Sequence, residues 1–199
     1  MTSATSRPLT RAVTALGATL GLLLQYAPPF RWAMGPRSRW WEPLRARISR
    51  LAGAVFDDRA GPRPVTEAEY AGTVRRSLDE TEALLWARGF RRNPLSRLKT
   101  RDGDPEVGSW VFRAVPLAER QLHLILFPVE SADGGPGAGA VDVYAHAEPS
   151  SVNPLVAAAH FDATGQNVAE GVEQARDRLP LEVVRETPDP PDGPWSSRE

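Results

Sequence analysis

GSWVFRAVPLAERQLHLILFPVESADGGPGAGAVDVYAH, residues Gly108–His146, contains three runs rich in β-branched and aromatic residues, separated by turn formers. They predict strands over Gly108–Val115, Gln121–Val129 and Ala140–His146, with SADGGPGAG (131–139) as the second connection. Side chains alternate across a sheet. A simple hairpin register therefore puts Trp110, Phe112, Leu122, Leu124, Leu126, Val141, Val143 and Ala145 on one face. The other face then carries Val111, Arg113, His123, Ile125, Phe127, Asp142, Tyr144 and His146. A sheet face turned to water is more uniformly polar than this mixture. Something is expected to cover it: the 148–163 loop, the N-terminal segment or a partner. Arg113, His123, Ile125, Phe127, Asp142, Tyr144 and His146 are accordingly the candidate binding surface of the sheet.

Outward from these strands, Thr66 and Glu69 have the spacing of a capping box. Tyr70, Val74, Leu78, Thr81 and Leu85 continue at helical period until Gly89. A second helix is expected over residues 165–179, with Val168, Val172, Ala175 and Leu179 on one side and Pro180 beyond its end. A fourth, edge strand is optional at Leu181–Arg185. The body reads α-β-β-β-α, an α+β fold with a three-stranded antiparallel meander and both helices on one face, preceded by two N-terminal helices. Residues 66–186 form this domain and 57–65 (DDRAGPRPV) a linker. Residues 187–199, rich in Pro and Asp, form a disordered tail.

Residues 1–56 differ in kind. The first 41 contain no acidic side chain, and Ala12–Ala27 (AVTALGATLGLLLQYA) is an apolar run flanked by Arg7, Arg11 and Arg31. Four readings fit: a membrane helix, a helix packed on the domain through Leu9, Val13, Leu16, Leu20 and Leu24, a secretory signal peptide, and a transit peptide. The run is short for a span and too apolar for a transit peptide. Pro28-Pro29 after Ala27 makes a poor cleavage site. Gly17 and Gly21 form a GxxxG. In WWEPLRARISRLAGAVF, Trp40–Phe56, Leu44, Ile48, Leu51 and Val55 share a helical face away from Arg45, Arg47 and Arg50. A basic amphipathic helix that opens with tryptophans has the pattern of an interfacial anchor. The membrane reading therefore leads, with Leu20, Leu23, Leu24, Trp40, Trp41, Leu44, Arg45, Ile48, Arg50 and Leu51 as candidate lipid contacts. If the run spans, the arginines after it place the C-terminal domain in the cytoplasm. The alternatives are a soluble cytoplasmic or an exported chain.

Residues 1–60 carry nine arginines and three acids, net +6, while the remainder carries 15 basic and 22 acidic residues, net −7. A basic leader on an acidic body suits an anionic membrane surface. It disfavours nucleic acid, whose readers carry positive charge on the folded domain. No cysteine is present, which excludes disulfides, thiolate zinc sites and cysteine nucleophiles. Ser109, Ser150 and Ser151 lack a nucleophile-elbow context, and the glycines at 134–139 form no phosphate loop. Arg91, Arg92, Arg97, Lys99 and Arg101 make a basic cluster that reads as solvated surface or an anion contact. No cofactor signature and no catalytic residue stands out.

The constellation that holds chemistry is histidine. The hairpin register sets His123 opposite His146, Glu148 follows, and His160 and Asp162 lie in the loop beyond. His123, His146 and His160 are the candidate metal ligands, against the alternative of a hydrogen-bonded structural pair. The sequence thus points to a non-enzymatic, membrane-associated interaction module that offers its sheet face to a protein partner. The alternatives are a soluble α+β protein whose N-terminal helices cover the sheet, and a small metal-dependent hydrolase built on the histidines.

Overall fold

A computed structural model describes residues 6–36, 40, 41, 43, 45–47, 62–94, 96–129, 139–162 and 164–183. The chain runs α1 (Ser6–Tyr26), α2 (Pro28–Ala33), β1 (Arg63–Pro64), β2 (Tyr70–Val74), α3 (Leu78–Ala87), β3 (Arg91–Arg92) and β4 (Lys99–Arg101). It continues through β5 (Asp104–Pro105), β6 (Gly108–Phe112), β7 (Arg120–Val129), β8 (Ala140–Pro149), α4 (Ala157–Phe161) and α5 (Val168–Arg178). The α+β class is as read from the sequence. The three expected strands are β6, β7 and β8, the middle of an antiparallel sheet ordered β2-β8-β7-β6-β3. β6 stops at Phe112, short of the predicted Val115, and β8 runs on to Pro149. Arg63–Pro64, expected in the linker, pair in parallel with β4, which pairs in turn with β5 to make a second small sheet.

The predicted helix over 66–89 is a correction. Glu69 does accept a hydrogen bond from the Thr66 N–H at 2.8 Å, but the box closes only a single 3-10 turn, Glu67–Glu69. The next five residues form the edge strand β2. YAGTV suits a strand better than a helix: Thr73 and Val74 are β-branched, and Gly72 sits at φ +144°, pressed against the Glu182 carbonyl. The helix starts later, where Ser77 and Glu80 form a true capping box for α3. The second helix is α5, capped by Asn167, whose side chain accepts from the Glu170 N–H. Of the optional edge strand, Glu182 makes a single bridge to Thr73, and residues from 184 lie outside the described residues.

Alternation sorts the side chains as predicted. Trp110, Leu122, Leu124, Leu126, Val141, Val143 and Ala145 form the apolar core with Leu85 of α3 and Val172 and Ala175 of α5. Both helices therefore lie on that face. Gly171 brings α5 onto β8, because its missing side chain lets the helix rest on the His146 backbone.

The opposite face is covered from within the chain. Ala18, Gly21 and Gln25 are the buried residues of α1 among those described, Met34 and Gly35 after α2 are buried as well, and α4 packs against both α1 and β8. Leu16 and Leu20, expected on the packed side of α1, are exposed, and Leu24 is half-buried. The side chains of Leu9 and Val13 lie outside those described. Among the candidate lipid contacts, Leu20, Leu23 and Trp40 are exposed and Trp41 is half-buried. Arg45 is corrected: it is buried, bonding Ser96 Oγ at 2.8 Å and Glu106 Oε1 at 3.0 Å. Leu44, Ile48, Arg50 and Leu51 lie outside the described residues. No helix among the described residues is long and apolar enough to cross a membrane.

Candidate metal centre

Neighbouring strands β7 and β8 build the site as a square. His123 pairs with His146, and one step along the same face Gln121 pairs with Glu148. Because every second residue shares a face, the pleat brings both imidazoles, the amide and the carboxylate together. His123 Nδ1 lies 3.2 Å from His146 Nε2 and 3.3 Å from Glu148 Oε1, and His146 Nε2 lies 3.3 Å from Glu148 Oε2. The donor atoms of these three buried residues all lie within 4.8 Å of one another. Zinc–nitrogen bonds of about 2.0–2.1 Å set neighbouring donors on a tetrahedron about 3.3–3.4 Å apart. The spacing in the chain matches that edge. His160, on α4, reaches Glu148 Oε2 with its Nδ1 at 3.2 Å but stands outside the three-residue group.

A second layer fixes these donors. His146 turns its far nitrogen, Nδ1, to Glu69 Oε1 at 2.8 Å, and Lys99 Nζ lies 3.4 Å from the same oxygen. His123 turns Nε2 to Ser109 Oγ at 2.7 Å, and Ser109 shares a hydrogen bond with Ser96 at 2.8 Å. Gln121 Nε2 donates to Glu148 Oε1 at 2.6 Å. Each far ring nitrogen is thus held by an oxygen, the arrangement that orients a histidine toward a metal. The order Ser109, His123, Glu148 also resembles a hydroxyl–imidazole–carboxylate relay. Ser109, at 0 % exposure and tied to Ser96, serves here to orient His123 rather than to meet a substrate.

Charge in the site is strongly organised. Burial opposes ionisation of every group. At His123 burial wins, holding the imidazole down at about 4 against the pull of Glu148. At His146 burial loses to the hydrogen bonds that the ring donates to Glu148 and Glu69, which push it up to about 9. Burial would raise Glu69 too, yet the bond to His146, the Lys99 charge and the Thr66 N–H hold it at about 2. Glu148 is held well below the ordinary carboxylate range in spite of its burial, by His160, His123 and His146. The metal-free chain therefore holds His146 as an imidazolium between two carboxylates, and a metal ion at Nε2 would take the place of that proton.

The rest of the candidate sheet surface is buried as well. Arg113 donates to Ser150 and Ser151, each at 3.0 Å, to Gln121, and across to Gln25 of α1. Asp142 is bonded by Thr73 at 2.6 Å and paired with Arg101 at 2.7 Å. Ile125, Phe127 and Tyr144 join Tyr70 in a small apolar cluster. Of the covers anticipated for this face, the N-terminal segment and the 148–163 loop both supply one. Of the basic cluster of residues 91–101, Arg92 and Lys99 turn inward, while Arg91, Arg97 and Arg101 are half-buried. Arg92 pairs with Glu82 at 2.8 Å and bonds the Gly35 and Pro36 carbonyls, and Lys99 is buried. Asp162 is exposed and takes no part.

Glu148 was visible in the sequence only as a neighbour of His146. Gln121 shares its period-two relation to His123 and was available from the same pattern. Glu69, Lys99 and Ser109 carried no local signal, since they join the site from other elements. Compared with family models, with curated proteins and with solved structures, the chain matches none.

Proposed function

We propose that this chain is a metalloprotein in which His123, His146 and Glu148 hold one divalent transition-metal ion, zinc or iron(II), beneath the covered face of the sheet. The spacing of the three donor atoms carries the reading. Two imidazoles and a carboxylate, without thiolates, suit these borderline ions. Glu69, Ser109 and Gln121 act as the orienting layer, and His160 holds Glu148 from the far side. Three protein donors leave a coordination position for water, the arrangement of metal-assisted hydrolysis and of non-haem iron chemistry. Burial of the sheet face under α1 and α4 weighs for this metal-dependent reading over an open partner-binding sheet. Turnover of a substrate at the centre requires that cover to lift.

The test is metal content of the purified full chain, followed by chelation and titration with Zn²⁺ or, anaerobically, Fe²⁺. One ion per chain is expected, with Glu148→Gln weakening binding more than about 100-fold while circular dichroism stays native. His123→Gln repeats the test if the first variant fails to fold. Wild-type protein that takes up no stoichiometric ion, or variants that bind as well as wild type, would leave a hydrogen-bonded histidine network and overturn the reading.

A further inference from the structure

α1 is amphipathic the wrong way round for a helix buried in its own domain. Its inward face is Ala18, Gly21 and Gln25, while Leu16, Leu20 and Leu23, at 72 %, 51 % and 48 % exposure, line the outward face. These leucines recur at the four- and three-residue steps of a single helical stripe. Phe30 and Trp40, further along the same N-terminal segment, are also exposed, at 47 % and 53 %. A helix that needed only to cover the sheet would turn its leucines in.

We propose that the outward face of α1 docks on an anionic lipid surface, with the helix lying along the bilayer rather than through it. Three observations choose this occupant. The first 41 residues carry Arg7, Arg11, Arg31, Arg37 and Arg39 and no acid, which complements anionic headgroups. The same charge opposes pairing with a second copy, since two such segments would bring ten arginines together without a counter-charge. The inward face of α1 is tied to the domain, because Gln25 accepts a hydrogen bond from the buried Arg113. A crossing helix would have to leave that bond, and no described helix is long and apolar enough to cross. Exposed leucines with tryptophan and phenylalanine set among arginines are the composition of an interfacial helix. The inference stands apart from the metal centre, since none of its residues touches the ligands.

The experiment is co-sedimentation of the full chain with vesicles of phosphatidylcholine alone or mixed with phosphatidylglycerol. Binding is expected to the mixed vesicles, to fall as salt rises, and to drop at least about 10-fold in the triple variant Leu16→Ser, Leu20→Ser, Leu23→Ser. These side chains are exposed, so the melting temperature of the variant should stay near that of wild type. A single variant, Leu20→Ser, with a smaller expected loss, replaces the triple one if it misfolds. Wild type left in the supernatant, or a folded variant that binds as well as wild type, would overturn the proposal. So would a wild-type dimer that ignores vesicles and becomes monomeric on substitution, which would make the stripe a contact between copies.

Discussion

Gly171 of α5 lies directly against the backbone of His146 in β8. A Cβ at residue 171 would overlap the His146 Cα and carbonyl carbon and the Ala147 nitrogen, all of them backbone atoms that cannot swing aside. Gly171→Ala should therefore push α5 off the sheet. Overpacking of this kind costs about 1–3 kcal/mol, or about 2–12 °C of melting temperature for a chain of this size. Calorimetry measures it. A melting point equal to wild type would mean that the helix does not sit where it is described.

On the proposed metal reading, Glu69 acts on the ion through His146. Glu69→Gln keeps the size of the side chain but removes the charge that faces His146 Nδ1 at 2.8 Å. Zinc affinity should fall about 10–100-fold, the usual effect of removing an outer partner of a ligating histidine. Titration calorimetry distinguishes this from loss of a ligand, since stoichiometry should remain one ion per chain.

Arg45 belongs to the interior, not to a lipid surface. Arg45→Ala leaves the Glu106 carboxylate buried with the Lys99 N–H, at 2.7 Å, among its remaining partners. Breaking a buried ion pair from one side costs about 3–5 kcal/mol. The variant should lose that much stability in urea unfolding while its folded fraction binds anionic vesicles like wild type. Loss of vesicle binding with unchanged stability would return Arg45 to the membrane.

In the metal-free chain, pH acts on stability in opposite senses through His146 on one side and Glu69 and His123 on the other. His146 has its folded pKa raised from 6.5 to about 9, so its stabilisation is complete below 6.5 and is lost as pH rises through about 9. Glu69 has its folded value lowered from 4.5 to about 2, so its stabilisation is complete above 4.5 and is lost as pH falls through about 2. His123, held down from 6.5 to about 4, makes stability fall as pH drops from 6.5 to about 4, because the unfolded chain takes up a proton that the folded chain refuses. Chelated protein should therefore melt highest near pH 6.5, lower towards pH 4 and progressively lower from pH 6.5 to 9. Metal-loaded protein should show a flatter profile over the upper window, because metal-bound Nε2 carries no proton to lose. Melting curves with and without chelator give the comparison.

The face of each residue on β6, β7 and β8 was readable in advance, because the pleat alone sets it and the apolar positions fix the register. That register brought His123 opposite His146 without any structure. Glu69 was misread for a physical reason: a carboxylate three residues after Thr66 caps a helix or a single turn with the same local bond. Which one forms depends on whether the following residues find a strand to pair with, and Tyr70–Val74 find β8. Lys99 and Arg92 looked solvated because their sequence neighbours are basic, whereas their partners, Glu69 and Glu82, lie on other elements. The leucine stripe of α1 was legible as a stripe but not as inward or outward. Periodicity locates a face, and only the packing of Ala18, Gly21 and Gln25 shows which side meets the domain.

The square on β7 and β8 also has a consequence for ancestry. It reduces to two tripeptides, Gln-x-His at 121–123 and His-x-Glu at 146–148, mirror images laid side by side by the ladder. None of the four residues lies in the connection between the strands, so insertion or deletion there leaves the square intact. A chain that kept the proposed site would carry both tripeptides, at whatever separation its own hairpin allows.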